Sequence, residues 1–339
     1  MTMLDPFLGD GYTLTTLTDA INKLPNRYGR IKQLGIFRTV GVATRAIEIE
    51  EKNGVLVLVP TAPWGSPGAQ SISGKRKLRT FSIPHTPLED VVAASEVQGI
   101  RTFGSENGVD AVNQKIQQKL QSMRDKIEQT MEWRQMGALK GIIYDADGST
   151  VLYNLYTEFG ITPKVVDFVL GTAGTDVRAK CIEVKRHMET HLFGERMSGI
   201  RVLVSPEFMD KLVNHATVKT AYANWQGAQQ QFGGDLRAGF TYGSITFEEY
   251  AATTTNTTGS ASLYLAANDG IAFPEGTASM FEDYAAPADF NETVNTIGIP
   301  FYAKMVNTEF DRGTKIHVQS NRLPLCKIPE LLVRCHTSN

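Results

Sequence analysis

An α+β fold is what this sequence predicts, and three observations carry the prediction. Strand-like alternation or short apolar runs bounded by turn residues recur in separate segments, at residues 46–59, 142–153, 199–204, 239–273 and 301–321. One long stretch, from Gly108 to Gly137, has the 3.6-residue apolar period of a helix. Strands and helices do not alternate in the regular order that builds a doubly wound parallel sheet. The length of 339 residues, at roughly 150 residues per domain, allows about two domains.

The elements follow in order. The first forty-five residues read as an arm more than a core. Thr13 to Leu24 has the pattern of a short helix, which Leu24-Pro25-Asn26-Arg27-Tyr28-Gly29 breaks with turn chemistry. Lys23, Arg27, Arg30, Lys32, Arg38 and Arg45 outnumber Asp5, Asp10 and Asp19 there, which suits a solvated face or an arm laid across a partner. Ala46-Ile47-Glu48-Ile49-Glu50 alternates, Asn53-Gly54 supplies a tight turn, and Val55 to Val59 is expected to return as the second strand of a hairpin. A Gly-, Pro- and Ser-rich run from Thr61 to Gly68 and the basic Lys75-Arg76-Lys77-Leu78-Arg79 come next, and Thr80 to Pro87 reads as an extended strand closed by prolines. A loop of this kind has no core of its own and needs a partner to order it.

Between Gly108 and Gly137, Val109, Val112, Ile116, Leu120, Met123, Ile127 and Met131 recur at spacings of three and four. Thirty helical residues span about 45 Å, and Gly137 and Gly141 mark the end. Ile142 to Tyr144 and Val151 to Tyr153 flank Asp145-Ala146-Asp147-Gly148 as a hairpin. Gly199 to Val204 is a buried strand, and Ser205-Pro206-Glu207 starts a helix with a cap, a first-turn proline and an early acid. Gly239 to Tyr250 and Ser262 to Phe273 are two further strands around the Thr-rich loop Ala252 to Gly259. Phe301 to Phe310 and Thr314 to Asn321 pair through Asp311-Arg312-Gly313, and Leu323 to Cys335 closes the chain.

Composition excludes several classes. Hydrophobic residues at 42% and charged residues at 21% are ordinary for a globular chain, so collagen-like and wholly disordered readings fail. No apolar run approaches the roughly 18 residues of a membrane span. Met1 to Gly11 lacks the basic-then-apolar pattern of a secretory signal, so the chain is expected to stay where it is made. Thirty-four Lys and Arg against 36 Asp and Glu leave a net charge of -2, which argues against tight sequence-independent binding of nucleic acid. Cys181, Cys326 and Cys335 are an odd number without a Cys-x-x-Cys pair, so reduced, mostly buried thiols are expected.

No catalytic constellation stands out in the sequence. His187 and His191 stand four apart, but Glu189 is one place too late for the general base of a metalloprotease helix, and a polar helix face is the expectation. Asp145-Ala146-Asp147-Gly148 lacks the remaining ligands of a calcium loop. Gly171-Thr172-Ala173-Gly174-Thr175 has neither the third glycine nor the lysine of a phosphate loop. No Gly-x-Ser-x-Gly occurs. The basic cluster from Lys75 to Arg79 fits either nucleic acid or, better, an acidic surface such as Glu48, Glu50 and Glu51 of another copy.

These parts, in this order, resemble the lambda-type major capsid proteins of tailed bacteriophages, the phage major capsid protein E family. The resemblance rests on Pro25-Asn26-Arg27-Tyr28-Gly29-Arg30-Ile31, Leu34-Gly35-Ile36-Phe37, Thr44 to Glu50 with Leu56 to Pro60, Ile83-Pro84-His85, Ile100-Arg101 and the long helix. It continues in Gly199 to Phe208, Gly270-Ile271-Ala272-Phe273-Pro274 and Ser320-Asn321-Arg322-Leu323-Pro324-Leu325, and so covers nearly the whole chain. It implies an HK97-like capsid fold. An N-terminal arm would span 1–45, an extended loop over a neighbouring subunit 46–86, and an axial domain 161–310. A peripheral domain would hold 87–160 and 311–339, with its spine helix at about 108–137.

The implied function is structural and not enzymatic, without catalytic residues, metal or cofactor. Copies would form pentamers and hexamers of an icosahedral head shell around double-stranded DNA contacted non-specifically, assembled in the host cytoplasm without a membrane. Scaffolding and portal proteins, and a decoration or cement protein, would be partners. The chain carries no long charged helical leader, so the scaffold would be a separate protein. Residues implied in intersubunit contact are Arg27, Arg30, Glu48, Glu50, Trp64, Lys75, Arg76, Lys77 and Arg79, with Lys75 or Lys77 the candidates for a covalent Lys–Asn bond. The alternative within the same fold is an encapsulin-like nanocompartment carrying protein cargo. An α+β hydrolase or metal enzyme built on His187 and His191 is the third class considered.

Overall fold

The computed structural model describes residues 13–24, 29–52, 76–97, 108–226, 239–257 and 259–339. The chain divides into two compact units, one of residues 1–47, 81–134 and 282–325, the other of residues 48–80, 135–281 and 326–339.

The first unit is built around the long helix. Its opening helix α1 (Leu14–Lys23) is capped by Thr13, whose hydroxyl accepts from Thr16 N at 3.3 Å. A short helix α2 (Arg30–Gln33) and strand β1 (Arg38–Gly41) follow. Strands β2 (Ala46–Lys52) and β3 (Arg76–Ser82), most of whose residues belong to the second unit, form a two-stranded sheet. Strand β4 (Thr86–Ala93) runs into the short helix α3 (Ala94–Val97). The long helix α4 (Gly108–Lys140) has 33 residues and continues past the expected end at Gly137. Of the expected stripe, Ile116, Leu120, Met123, Ile127 and Met131 are each at most 2% exposed, and the side chains of Val109 and Val112 lie outside the described residues.

One core cluster joins this stripe to Leu17 and Ile21 of α1 and to a three-stranded antiparallel sheet. That sheet has the order β15 (Tyr302–Asn307), β16 (Gly313–Ser320), β4. Residues opposite each other on a ladder share a face. Ala303, Val318 and Leu88 form one such row on the core side. Pro87 lies within β4, opposite Gln319, where a strand closing at the proline was expected. An edge strand tolerates the missing N–H.

Of the stretch read as an arm, helix α1 is docked on this core and Ile31 of α2 is buried. Leu17, Ile21 and Ile31 are at most 3% exposed, and β1 lies parallel to β14 (Phe281–Ala285), which also pairs with β17 (Arg322–Cys326). An amphipathic helix next to an exposed apolar stripe buries its own face there. The partner of β2 is β3; the expected return strand Val55 to Val59 lies outside the described residues.

The second unit centres on a six-stranded mixed sheet. Its order is β7 (Lys164–Asp167), β18 (Val333–His336), β13 (Asp269–Glu275), β8 (Gly199–Val204), β10 (Ile245–Glu249), β9 (Phe240–Tyr242). The pairs β7–β18 and β8–β10 are parallel and the rest antiparallel. Strand β8 is buried on both faces, as its continuous apolar run requires, with Val202, Leu203 and Val204 at 0% exposure. Ser205 caps α7 (Pro206–Asn214) through Phe208 N, as the sequence predicts, and α6 (Val177–Thr190) and α8 (Ala216–Gln226) complete the helices of the sheet region. Phe168, Phe208 and Phe247 pack ring to ring at 5.5–6.5 Å.

Two expected single strands are divided. Residues 239–250 form the β9–β10 hairpin, because Gly243 and Ser244 both take positive φ, the pairing that a two-residue type I′ turn demands. Residues 262–273 divide into β12 (Ala261–Leu263) and β13, with Asn268 at φ 62 before the second. Strand β11 (Thr253–Thr255), in the loop expected to be irregular, pairs with β12.

The hairpin β5 (Ile142–Tyr144), β6 (Val151–Asn154) forms as expected, and helix α5 (Leu155–Phe159) follows it, capped by Asn154. The Asp147 carboxylate accepts from the Ser149 and Thr150 N–H groups at 3.0 and 2.9 Å and from both hydroxyls, which holds it well below the usual carboxylate range. The turn thus uses this acid internally, as a hairpin does. The last strands of the chain separate: β15 and β16 belong with β4 in the first unit, while β18 enters the six-stranded sheet of the second. This grouping changes from one unit to the other at residues 48, 81, 135, 282 and 326.

Candidate assembly surface

The β2–β3 ladder flanks residues 53–75, which lie outside the described residues. A two-stranded ladder is marginal in water by itself. Ile47 and Ile49 are 6% and 9% exposed, with Glu48 between them exposed. On β3, Leu78 is 57% exposed. Arg79 donates to the Phe159 carbonyl oxygen at 3.2 Å and lies 4.7 Å from the centroid of its ring. The guanidinium thereby meets the last carbonyls of α5, where a cation is favoured, and stacks on an aromatic face.

The other residues implied in intersubunit contact are distributed as follows. Arg27, Trp64 and Lys75 lie outside the described residues, as do the side chains of Glu50, Arg76 and Lys77. Arg30 is exposed at the start of α2, with Gln33 Oε1 3.4 Å from its Nη1.

Sequence reasoning missed a buried ionic knot on α4. Arg322 and Asp283 form an ion pair in which the residues are 3% and 0% exposed. Glu128 lies 3.8 Å from both Arg322 and Arg124 and 2.6 Å from Lys32 Nζ. Glu132 accepts from Ile31 N at 3.0 Å, and Arg124 donates to the Ile21 carbonyl. Burial opposes the charge on Arg322, yet the carboxylates of Asp283 and Glu128 outweigh it and raise the pKa. For Arg124 burial prevails over Glu128 and the pKa falls. The knot fastens α1 and α2 to α4. Only a charged residue at i and i+4 on the polar side of the helix announced it, and that pattern also describes any solvated face.

The second face of the β15–β16–β4 sheet meets solvent. Register places Val306, Lys315 and Val91 in one row of it, and Lys304, His317 and Glu89 in the next. Glu89 pairs with Lys315 at 2.6 Å and with His317 at 3.0 Å, hydrogen bonds that lower its pKa. Val306 is 61% exposed and Val91 40%, while in the loop before β15 Val294 and Ile297 are 65% and 70% exposed. At the β15–β16 turn Phe310 is 86% exposed. In a strand pattern such residues read as core; which face they occupy is set by register.

His187 Nε2 donates to the Glu330 carbonyl at 2.9 Å and His191 Nδ1 to the His187 carbonyl at 2.8 Å. Among the described residues no group of three or more His, Cys, Asp or Glu is placed to hold a metal ion. Cys181, Cys326 and Cys335 are unpaired and at 0% exposure, and burial pushes the Cys181 thiol up to about 12. Burial lowers the Lys140 ammonium to about 8 although Asp269 opposes this, and Lys140 donates to the Tyr264 carbonyl at 2.8 Å. No described helix is long and apolar enough to cross a membrane.

What the arrangement offers is a buried framework with apolar and paired charged groups on its surface, the composition of a protein interface. The major capsid protein of Pseudomonas phage KPP10 is 28% identical over 344 residues, covering 97% of this chain and 98% of its own length. That of Salmonella phage Felix O1 (isolate Felix O1-VT1) is 29% identical, covering 95% of each. In fold, the chain is similar to the capsid protein of a prophage of E. coli CFT073, with a TM-score of 0.61 at 12% identity over 96% of this chain and 99% of that one. The sequence profile described as phage major capsid protein E matches residues 13–337. The chain therefore belongs to the phage major capsid protein E family, and it is a structural protein of the phage capsid.

Proposed function

We propose that copies of this chain assemble as pentamers and hexamers into the icosahedral head shell of a tailed phage, around double-stranded DNA. The observation that carries the reading is the family match over residues 13–337, which spans both compact units. In this reading residues 46–86 are the extended loop that lies over a neighbour. Glu48, Arg30 and Arg79, with Arg27, Glu50, Trp64, Lys75, Arg76 and Lys77, contribute to contacts between copies, and Arg79 also bonds the Phe159 carbonyl of its own subunit. Residues 87–160 and 311–339 take the peripheral role and residues 161–310 the axial one. Scaffolding, portal and decoration proteins are the partners, and catalysis has no part.

Physical chemistry supports the reading. At about 25 cal/mol per Å2, a few hundred Å2 of apolar contact contributes several kcal/mol before ordering entropy is subtracted. Closed symmetry repeats each contact, so modest interfaces give a stable shell. A near-neutral chain neither traps packaged DNA nor repels its copies. Electron microscopy of the chain co-expressed with its scaffold is expected to show closed shells of uniform diameter. Protein that stays monomeric under those conditions overturns the reading. Filled particles that absorb as protein alone, without a nucleobase band, turn it toward the nanocompartment.

A further inference from the structure

Helix α6 ends on two half-buried imidazoles that stand one turn apart, His187 and His191, with ring centroids separated by 4.3 Å. Each ring has one nitrogen committed to the backbone. His187 Nε2 lies 2.9 Å from the carbonyl oxygen of Glu330, in the single 3-10 turn Pro329–Leu331 before β18. His191 Nδ1 lies 2.8 Å from the His187 carbonyl oxygen, one of the last four acceptors of the helix. A carbonyl only accepts, so both of these nitrogens carry a hydrogen, and in the neutral ring the other nitrogen bears a lone pair. Among the described residues neither His187 Nδ1 nor His191 Nε2 has a hydrogen-bond partner. The edge of Phe193, itself 53% exposed, meets the His191 ring at 6.1 Å.

Metal-ligating histidines are held in this way: the second ring N–H goes to a backbone carbonyl, which fixes the tautomer and the direction of the lone pair. Two imidazoles bound at about 2.1 Å and at right angles on one ion have centroids roughly 4.5 Å apart, close to the spacing here. The C-terminal end of a helix also favours a cation. We infer that His187 and His191 form a two-imidazole chelate for a late first-row divalent ion, Zn2+, Ni2+ or Cu2+, with water in the remaining positions. Imidazole selects these ions over Mg2+ and Ca2+, which prefer oxygen ligands. Two protein ligands are fewer than a structural zinc site takes, so the ion exchanges and the fold does not require it. Lys164, a cation on the neighbouring strand β7, is paired with Glu183 of α6 at 2.8 Å, which offsets its repulsion of a metal. All of these residues belong to the second unit, so the inference does not depend on assembly. In the sequence the same spacing reads as a polar helix face, and only the two carbonyls distinguish the chelate from it.

The test uses the full chain, stripped with a chelator and dialysed at neutral pH against Zn2+ alone. The expected result is a single bound Zn2+ per chain. His187→Gln and His191→Gln are each expected to lower its affinity at least about tenfold, while His317→Gln, on the histidine paired with Glu89 in the first unit, binds like the parent. A glutamine amide still donates to a carbonyl, so without metal both variants are expected to unfold at the parent's midpoint. Added Zn2+ then raises the midpoint of the parent and not of the variants. Cu2+ in place of Zn2+ is expected to show two nitrogen ligands in the electron paramagnetic resonance spectrum of the parent. That spectrum decides the ligands even where a variant fails to fold, and one without nitrogen coupling overturns the inference. Absence of bound metal, metal held equally by His187→Gln and His191→Gln, or an equal loss in His317→Gln overturns it too.

Discussion

Arg322 and Asp283 meet where water does not reach either, and each leaves an atom unmatched: Arg322 Nε and Asp283 Oδ1 are buried without a partner. Taking two charges out of water costs about as much as their attraction returns, so the pair owes its value to fixing α4, β14 and β17 in one arrangement. Removing one partner strands the other. Arg322→Met is expected to lower subunit stability by about 3–5 kcal/mol in urea unfolding, and Arg322→Met with Asp283→Leu to recover most of it. Lys140 gives a pH signature. Its folded pKa of about 8 lies below the unfolded value near 10.4, so between these pH values the unfolded chain binds more protons than the folded one. Stability from this group therefore rises as pH goes from about 8 toward 10 and is absent below. The difference in unfolding free energy between parent and Lys140→Met is expected to grow by about 2 kcal/mol in the parent's favour over that window. A flat difference would remove the assignment.

At the scale of elements, helix α4 is the part most plainly written in the sequence, because its period of three and four is long enough to be unambiguous. Its end is less plain. Gly137 lies inside the helix, where an added Cβ would come within 2.8 Å of the Ile142 carbonyl oxygen, so this glycine permits a close backbone approach and does not stop the helix. Gly141, at φ 77, is the residue that stops it. Gly141→Ala is expected to cost about 2 kcal/mol or more, from the left-handed backbone together with a collision on the Tyr156 ring, measured as a lowered unfolding midpoint. The strands were legible as apolar segments, but their ends were not. Gly243-Ser244 looked like part of a strand because only the positive φ at both positions makes it a turn.

At the scale of the whole molecule, the prediction concerns the segment that β2 and β3 support. Replacing residues 54–74 by a short glycine linker keeps both strands and the Arg79–Phe159 contact. The variant is expected to retain the far-ultraviolet dichroism and unfolding midpoint of the parent subunit and to form no closed shells by electron microscopy. Normal shells would remove the segment from the assembly contacts. The capsid family itself was readable from the order of short motifs along the chain, none of them specific alone. The intrachain contact of Arg79 was less readable: it looks like one more cation of a basic run, and only the fold brings Phe159 beneath it.

Local chemistry was legible in the chain: the long helix from its period, the cap at Ser205, the β5–β6 hairpin from its turn, and buried thiols from cysteine number. These depend on residues within a few positions of each other. Tertiary structure alone decided that α1 and α2 join the core, that β15 pairs with β16 and β4 while β18 enters the other sheet, and that Phe310 stands in water. Such choices are competitions between distant segments for the same apolar face or ladder edge. Any amphipathic segment fits several partners, and the global fold selects one.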